Sequence, residues 1–210
     1  MSELEILTVE DPEQLQILRS RTRRVPRVTP KLAALAEEML EAMREANGVG
    51  LAAPQVGVLL RFFVAEMPED EETGEPAETY VLFNPEVVKG RGEQVGYEGC
   101  LSIPGYVGEV ARKKQVVVEG LDERGRQVRL KVDDYLARVF QHEIDHLDGV
   151  LFTDKLTDPA TLRPVEVGEE EAAERLAEAE MADAERRAGM ERLGDDEQME
   201  QAAEMAGAAV

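Results

Sequence analysis

The segment that most constrains this chain is Gln141 to Gly149, "QHEIDHLDG". It holds both histidines of the 210-residue sequence, four positions apart, with Glu143 directly after the first. On a helix of 3.6 residues per turn, His142 and His146 share one face, a turn apart. Two imidazoles so placed can bind one metal ion, and Glu143 lies beside that ion without being a ligand. This is the H-E-x-x-H pattern, in which the glutamate is general base to a water activated by the metal. The surrounding run "DDYLARVFQHEIDHLDG" (Asp133–Gly149) predicts a helix opened by Asp133 or Asp134 and closed by Gly149. Leu136, Val139, Phe140, Ile144 and Leu147 recur at helical spacing, so this is a core helix that can hold a metal site rigidly.

A catalytic metal usually takes three protein ligands, so one is still to be found. In a metzincin the pattern continues to a third histidine, but Phe152 stands at that position. Glu166 and Glu169 lie at distances along the chain that would suit a glutamate ligand, but they fall at the start of an acidic stretch outside any clear core helix. The remaining candidate is the only cysteine, Cys100, in "YEGCLSIPG". By its chemistry alone it reads equally as a thiolate ligand or as a small buried apolar residue.

Elsewhere, Thr29-Pro30 predicts a capped helix start, and Leu32, Leu35, Ala36, Met39, Leu40 and Met43 follow at helical spacing up to Asn47-Gly48. Leu59–Met67 reads as a buried strand, and Pro68–Pro76 as an acidic loop. "TYVLFNPEVV" resumes as strand, with Asn84-Pro85 interrupting it. Gln115–Val132 is a predicted hairpin turning at "DERGR". From Glu166 the chain is rich in Ala and Glu, has no aromatic residue, and carries only a thin apolar stripe, which predicts a charged, partly helical tail.

The formal net charge is −21, which argues against broad nucleic-acid binding, since phosphate contacts need Lys and Arg. Residues 166–210 hold 15 acidic and 4 basic residues, a net of −11. Arg19–Arg27 packs five Arg into nine positions, more simply a solvated basic strip than a partner patch. No run of 18 apolar residues could span a membrane, and the acidic N-terminus lacks the pattern of a signal peptide. A single cysteine permits no intrachain disulfide, so a cytoplasmic protein with a reduced thiol is expected.

Three segments, "GVGLAAPQVG" (Gly48–Gly57), "EGCLSIPG" (Glu98–Gly105) and "QHEIDHLDG", occur together in an order and at a spacing that resemble bacterial peptide deformylases. The resemblance covers about residues 1–165 and leaves the acidic extension, residues 166–210, uncovered. It implies a single α+β domain, with a central HExxH helix enclosed by small antiparallel or mixed β-sheets. The implied ligands are Cys100, His142 and His146, with Glu143 as general acid and base. The implied oxyanion donors are the Gln55 side chain and the Leu101 backbone N–H. Val49, Gly50 and Gly99 would hold the substrate backbone as an added strand. Val49, Leu101, Tyr135, Val139 and the face of His142 would form the methionine pocket, with Glu98 at its entrance.

The reaction so implied is hydrolysis of the N-formyl group from the formyl-methionine that begins a new bacterial polypeptide. One divalent ion is implied per chain. Thiolate with imidazole suits iron(II), zinc, cobalt or nickel, and the resemblance implies iron(II). Many relatives carry Arg where this chain has Val107, so that residue's contact to substrate does not carry over, leaving Tyr106 and Arg112 as neighbouring alternatives. Some members dock on the ribosome through a basic C-terminal helix; this C-terminus is acidic, so that docking mode does not carry over, and a ribosome contact of another kind stays open. Two other readings are a zinc peptidase of another lineage using Glu166 or Glu169, and a non-catalytic protein with a structural metal. An intact Glu143 and Gln55 speak against the second, because a closed structural site needs no base.

Overall fold

The computed structural model describes residues 4–68 and 76–165. The tail from Glu166, with Glu166 and Glu169 themselves, and most of the Pro68–Pro76 loop lie outside the described residues. The chain opens with a short helix, α1 (Pro12–Leu18), capped by Asp11, whose side chain accepts from the Glu13 and Gln14 N–H groups. A longer helix, α2 (Pro30–Glu45), follows, with Thr29 as its cap and Pro30 at the first helical position. Its path ends as expected at Asn47, which takes a left-handed conformation (φ 53°).

Five strands form one sheet in the spatial order β1 (Gly50–Ala52), β2 (Phe62–Met67), β3 (Glu78–Arg91), β6 (Gln115–Leu121), β7 (Gln127–Asp133). A smaller sheet joins β4 (Gln94–Cys100), β5 (Ile103–Arg112) and the two-residue β8 (Arg163–Pro164). All pairings within both sheets are antiparallel. Between the sheets runs the third helix, α3 (Asp134–Leu147), which carries the HExxH motif.

The larger sheet is covered on both faces, and this explains why β2 is apolar almost throughout. Side chains alternate across a strand, so Phe62 and Val64 face one way and Phe63, Ala65 and Met67 the other. The first pair packs with Ala36, Met39, Leu40 and Met43 of α2. The second set packs with Val139, Phe140, Ile144 and Leu147 of α3. Each fully buried large side chain contributes on the order of 2 kcal/mol by leaving water. Edge-to-face contacts of Phe140 with Phe63 and Tyr80 lock the helix over the sheet.

The expected Gln115–Val132 hairpin is β6 and β7, turning at Asp122–Arg126, where the Asp122 carboxylate accepts from the N–H groups of Arg124 and Arg126. Asn84-Pro85 does not end its strand. It makes an irregularity between Phe83 and Glu86, after which β3 runs on to Arg91. The reason is a substitute pairing. The Asn84 side chain takes the Val25 N–H at 2.7 Å and donates to the Val25 carbonyl at 2.8 Å, replacing the ladder bonds lost at the kink.

The basic strip is largely neutralised within the chain: Arg19 pairs with Asp154, Arg21 with Asp148 and Arg24 with Glu86. The C-terminal end of α3 is fixed by the same strip. Gly149 has φ 75°, and a Cβ there would meet the Arg19 carbonyl oxygen at 2.4 Å. Gly149→Ala therefore combines left-handed strain with a backbone collision, and is expected to cost about 2 kcal/mol or more. A urea titration checks this; an unchanged midpoint would mean that the Arg19 backbone yields freely.

Candidate metal centre

Cys100 ends β4, and the two-residue turn Leu101-Ser102 leads into β5. Strand alternation sends Tyr97 and Gly99 outward and turns Glu98 and Cys100 toward α3. There the Cys100 Sγ lies 3.2 Å from His146 Nε2, and that nitrogen lies 3.2 Å from His142 Nε2. The three potential ligand atoms fall within 4.8 Å of one another. Three soft-to-borderline donors converging at this range fit a single ion of the kind that takes thiolate and imidazole. Phe152, at the position where a metzincin has its third histidine, instead lies roughly parallel to the His142 ring at 6.4 Å between centroids.

Behind the site, Glu98 Oε2 accepts from His142 Nδ1 at 3.0 Å. A carboxylate only accepts, so the proton of the neutral ring sits on Nδ1 and the Nε2 lone pair faces Cys100. Arg112 donates to both oxygens of Glu98 at 2.8 Å, and Arg138 to Oε1 at 2.8 Å. Arg112 is in turn paired with Asp145, one turn after His142 on α3. Burial alone would raise the Glu98 pKa, but the bonds from Arg112 and His142 outweigh it and hold the group well below the usual carboxylate range.

Glu98, expected at the pocket entrance, is buried beside α3. Its side chain is 3% exposed and is occupied by four N–H groups. Arg112 is likewise unavailable to replace an Arg at Val107, since Glu98 and Asp145 hold its buried guanidinium.

The two imidazoles are driven apart in basicity. Burial lowers both, but the Cys100 sulfur and Glu98 pull His142 well above the ordinary range. His146, buried and beside a charged His142, falls well below it. Burial raises Glu143 to about 7 against the opposing pull of His142. The Glu143 Oε2 and the His146 Nδ1 are buried with no hydrogen-bond partner among the described residues. An orphaned carboxylate oxygen beside a cluster of ligands suits a group that handles a proton rather than one that fills a structural role.

The "GVGLAAPQVG" segment supplies the wall facing α3. Gln55 is 2% exposed. Its Oε1 accepts from the Ala52 N–H at 2.8 Å, which aims Nε2 at Ser102 Oγ (3.1 Å) and Cys100 Sγ (3.6 Å). Of the three segment glycines that could be turn residues, only Gly57 has a positive φ. Gly48 and Gly50 serve close approach. A Cβ at Gly50 would stand 2.3 Å from Glu143 Oε1, and one at Gly48 would stand 2.7 Å from Leu101 Cδ1.

Val49, Tyr135 and Val139 join one apolar cluster, whereas Leu101 packs against the other, with the α2 residues. Gly99 is exposed, with Val107 Cγ1 3.5 Å from where its Cβ would be. Sequence reasoning missed Arg138, Asp145 and Ser102. Asp145 and Arg138 lie three residues after and four before His142, and that spacing was the available signal.

A sequence model described as Polypeptide deformylase matches residues 3–161. The chain is 49% identical over 170 residues to a peptide deformylase of Thermomicrobium roseum, covering 80% of this chain and 94% of the relative. It is 48% identical over 167 residues to one of Symbiobacterium thermophilum, covering 79% and 73%. Among solved structures, the fold is similar to a peptide deformylase of Synechococcus elongatus in complex with actinonin (39% identity, TM-score 0.69, 77% of this chain and 84% of that one). It is also similar to the peptide deformylase of Thermotoga maritima (37% identity, TM-score 0.66, 74% and 98%).

Cys100→Ser replaces a thiolate by a far poorer ligand. Zinc affinity, measured by competition with a chelator, is expected to fall by more than the roughly 10–100-fold that loss of a partner behind a ligand costs. One ion per chain at undiminished affinity would instead move the third ligand to Glu166 or Glu169.

Proposed function

The chain belongs to the polypeptide deformylase family, and we propose that its reaction, hydrolysis of the N-formyl group of formyl-methionyl polypeptides, runs at Cys100, His142 and His146 with Glu143 as general base. The observation that carries this reading is Glu143 itself: a buried carboxylate with one oxygen unpartnered, its pKa near 7, beside three converging ligand atoms. A divalent ion held by those atoms would supply Lewis acidity, making water a strong nucleophile near neutral pH and polarising a carbonyl oxygen. We assign iron(II) as the resident ion, and zinc, nickel or cobalt as ions the same donors accept.

Glu143 takes a proton from the attacking water as its oxygen bonds to the formyl carbon. It returns that proton to the amine nitrogen as the C–N bond breaks, leaving formate and a free amine. With a pKa near 7, Glu143 can do both at neutral pH. The Gln55 Nε2 and the Leu101 N–H donate to the oxyanion that develops on the formyl oxygen. Gln55 is suited to this because the Ala52 N–H fixes its orientation before any substrate binds. β1 is the edge strand of the larger sheet, so the backbone of Val49 and Gly50 can receive an extended peptide, with Gly99 opposite. Val49, Leu101, Tyr135 and Val139 then hold the methionine side chain.

The substrates are new polypeptides in the cytoplasm, and residues 1–165 form the catalytic unit. No described helix is long and apolar enough to cross a membrane. Any contact with the ribosome is made without a basic C-terminal helix, since residues 166–210 carry a net charge of −11.

Two variants test the roles. Glu143→Ala is expected to keep its metal and to lose formate release from a formyl-Met peptide by about 100-fold or more. Metal content falling in step with activity would make Glu143 a ligand. Gln55→Leu is expected to lower kcat by roughly 100–1,000-fold with KM little changed. An effect confined to KM would make it a substrate-binding residue only.

A further inference from the structure

We infer that Arg138 is a positioning residue for the metal centre: from α3 it pins the Glu98 carboxylate, and through it the His142 ring. This rests on the reading of Cys100, His142 and His146 as ligands. Arg138 lies four residues before His142, one turn away on the same face of α3. The two residues take different oxygens of one carboxylate: Arg138 Nη1 donates to Oε1 at 2.8 Å, and His142 Nδ1 to Oε2 at 3.0 Å. A carboxylate gripped at both oxygens from one helix can neither turn about its own axis nor drift from the ring.

Arg112 cannot do this alone. It sits on β5, hydrogen-bonded to the strand that bears Glu98, and reaches α3 only through Asp145. Arg138 spans the gap directly, and it also donates to the carbonyls of Gly96 on β4 (3.3 Å) and Val110 on β5 (3.1 Å). The strand makes room for it. A Cβ at Gly96 would stand 3.1 Å from Arg138 Nη2, which gives that glycine a purpose no turn requires. Both partners are buried, with side-chain exposures of 7% for Arg138 and 3% for Glu98, so water cannot replace the bond if it is lost.

The alternative is that Arg138 merely ties α3 to the β4–β5 hairpin. Zinc release separates the two. The zinc-loaded full chain is mixed with excess chromophoric chelator, comparing wild type, Arg138→Met, Glu98→Gln and the double variant. If Arg138 acts through Glu98, Arg138→Met releases zinc at least about ten-fold faster than wild type. In the Glu98→Gln background, the same change then alters release by less than about two-fold. Equal acceleration in both backgrounds, or none in either, overturns the inference. If Arg138→Met does not fold, Arg138→Leu, which likewise removes the donor, takes its place under the same criteria. A wild-type chain that takes up no zinc overturns the metal-centre reading together with this one, whereas normal loading with unaltered coupling overturns this one alone.

Discussion

Everything around the site follows from burying the polar face of α3. An isolated charge taken out of water is costly, and it survives only when paired and hydrogen-bonded. The helix brings Arg138 and Asp145 inward on either side of His142, and the β4–β5 hairpin answers with Glu98 and Arg112. Two positive and two negative groups close into a buried set with no net charge. Within it the bond from His142 to Glu98 fixes which ring nitrogen is free to act. Lys155 meets Asp145 at 2.8 Å and carries the chain of pairs out to solvent.

The apolar half of the same helix explains the architecture. Phe140, Ile144 and Leu147 need a sheet to lie on, and β2 supplies one whose other face is already taken by α2. The sheet is therefore a middle layer. The segment Gly48–Gly57, which crosses its edge, can bring Gly50 up to Glu143 while its neighbour Leu51 is buried among the α2 residues. Site and core share their walls, and the small residues of that segment are set by clearance as much as by chain reversal.

Much of this was legible in the sequence. Periodicity found α2 and α3, β-branched runs found β6 and β7, and the H-E-x-x-H spacing singled out His142, Glu143 and His146, which the fold brings together. Cys100 was not singled out by local chemistry, because a lone cysteine reads equally as core; the resemblance singled it out, and the fold brings its sulfur to the histidines. The β4–β5 hairpin escaped because its glycines and polar residues weaken the alternation that marks a strand. Asn84-Pro85 interrupts the pairing of β3 with β6 as expected, but the side chain that makes up for the lost bonds reaches Val25, a partner 59 residues away that no local pattern shows. The surroundings of Glu98 were not legible for a similar reason: its partners lie on another strand and on a helix, and no spacing along the chain announces them.

The order along the chain of the three side chains that converge at the site has a consequence for how the protein is made. Cys100 precedes His146 by 46 residues, and synthesis runs from the N-terminus. At about 5–20 residues per second, the thiol is complete roughly 2 to 9 s before its last imidazole partner exists. During that interval the sulfur lacks the last of the donor atoms that lie beside it in the folded chain. The three donor atoms therefore meet only once α3 has been made and has packed on the sheet, so the cluster is completed late in synthesis, by the same contacts that close the core.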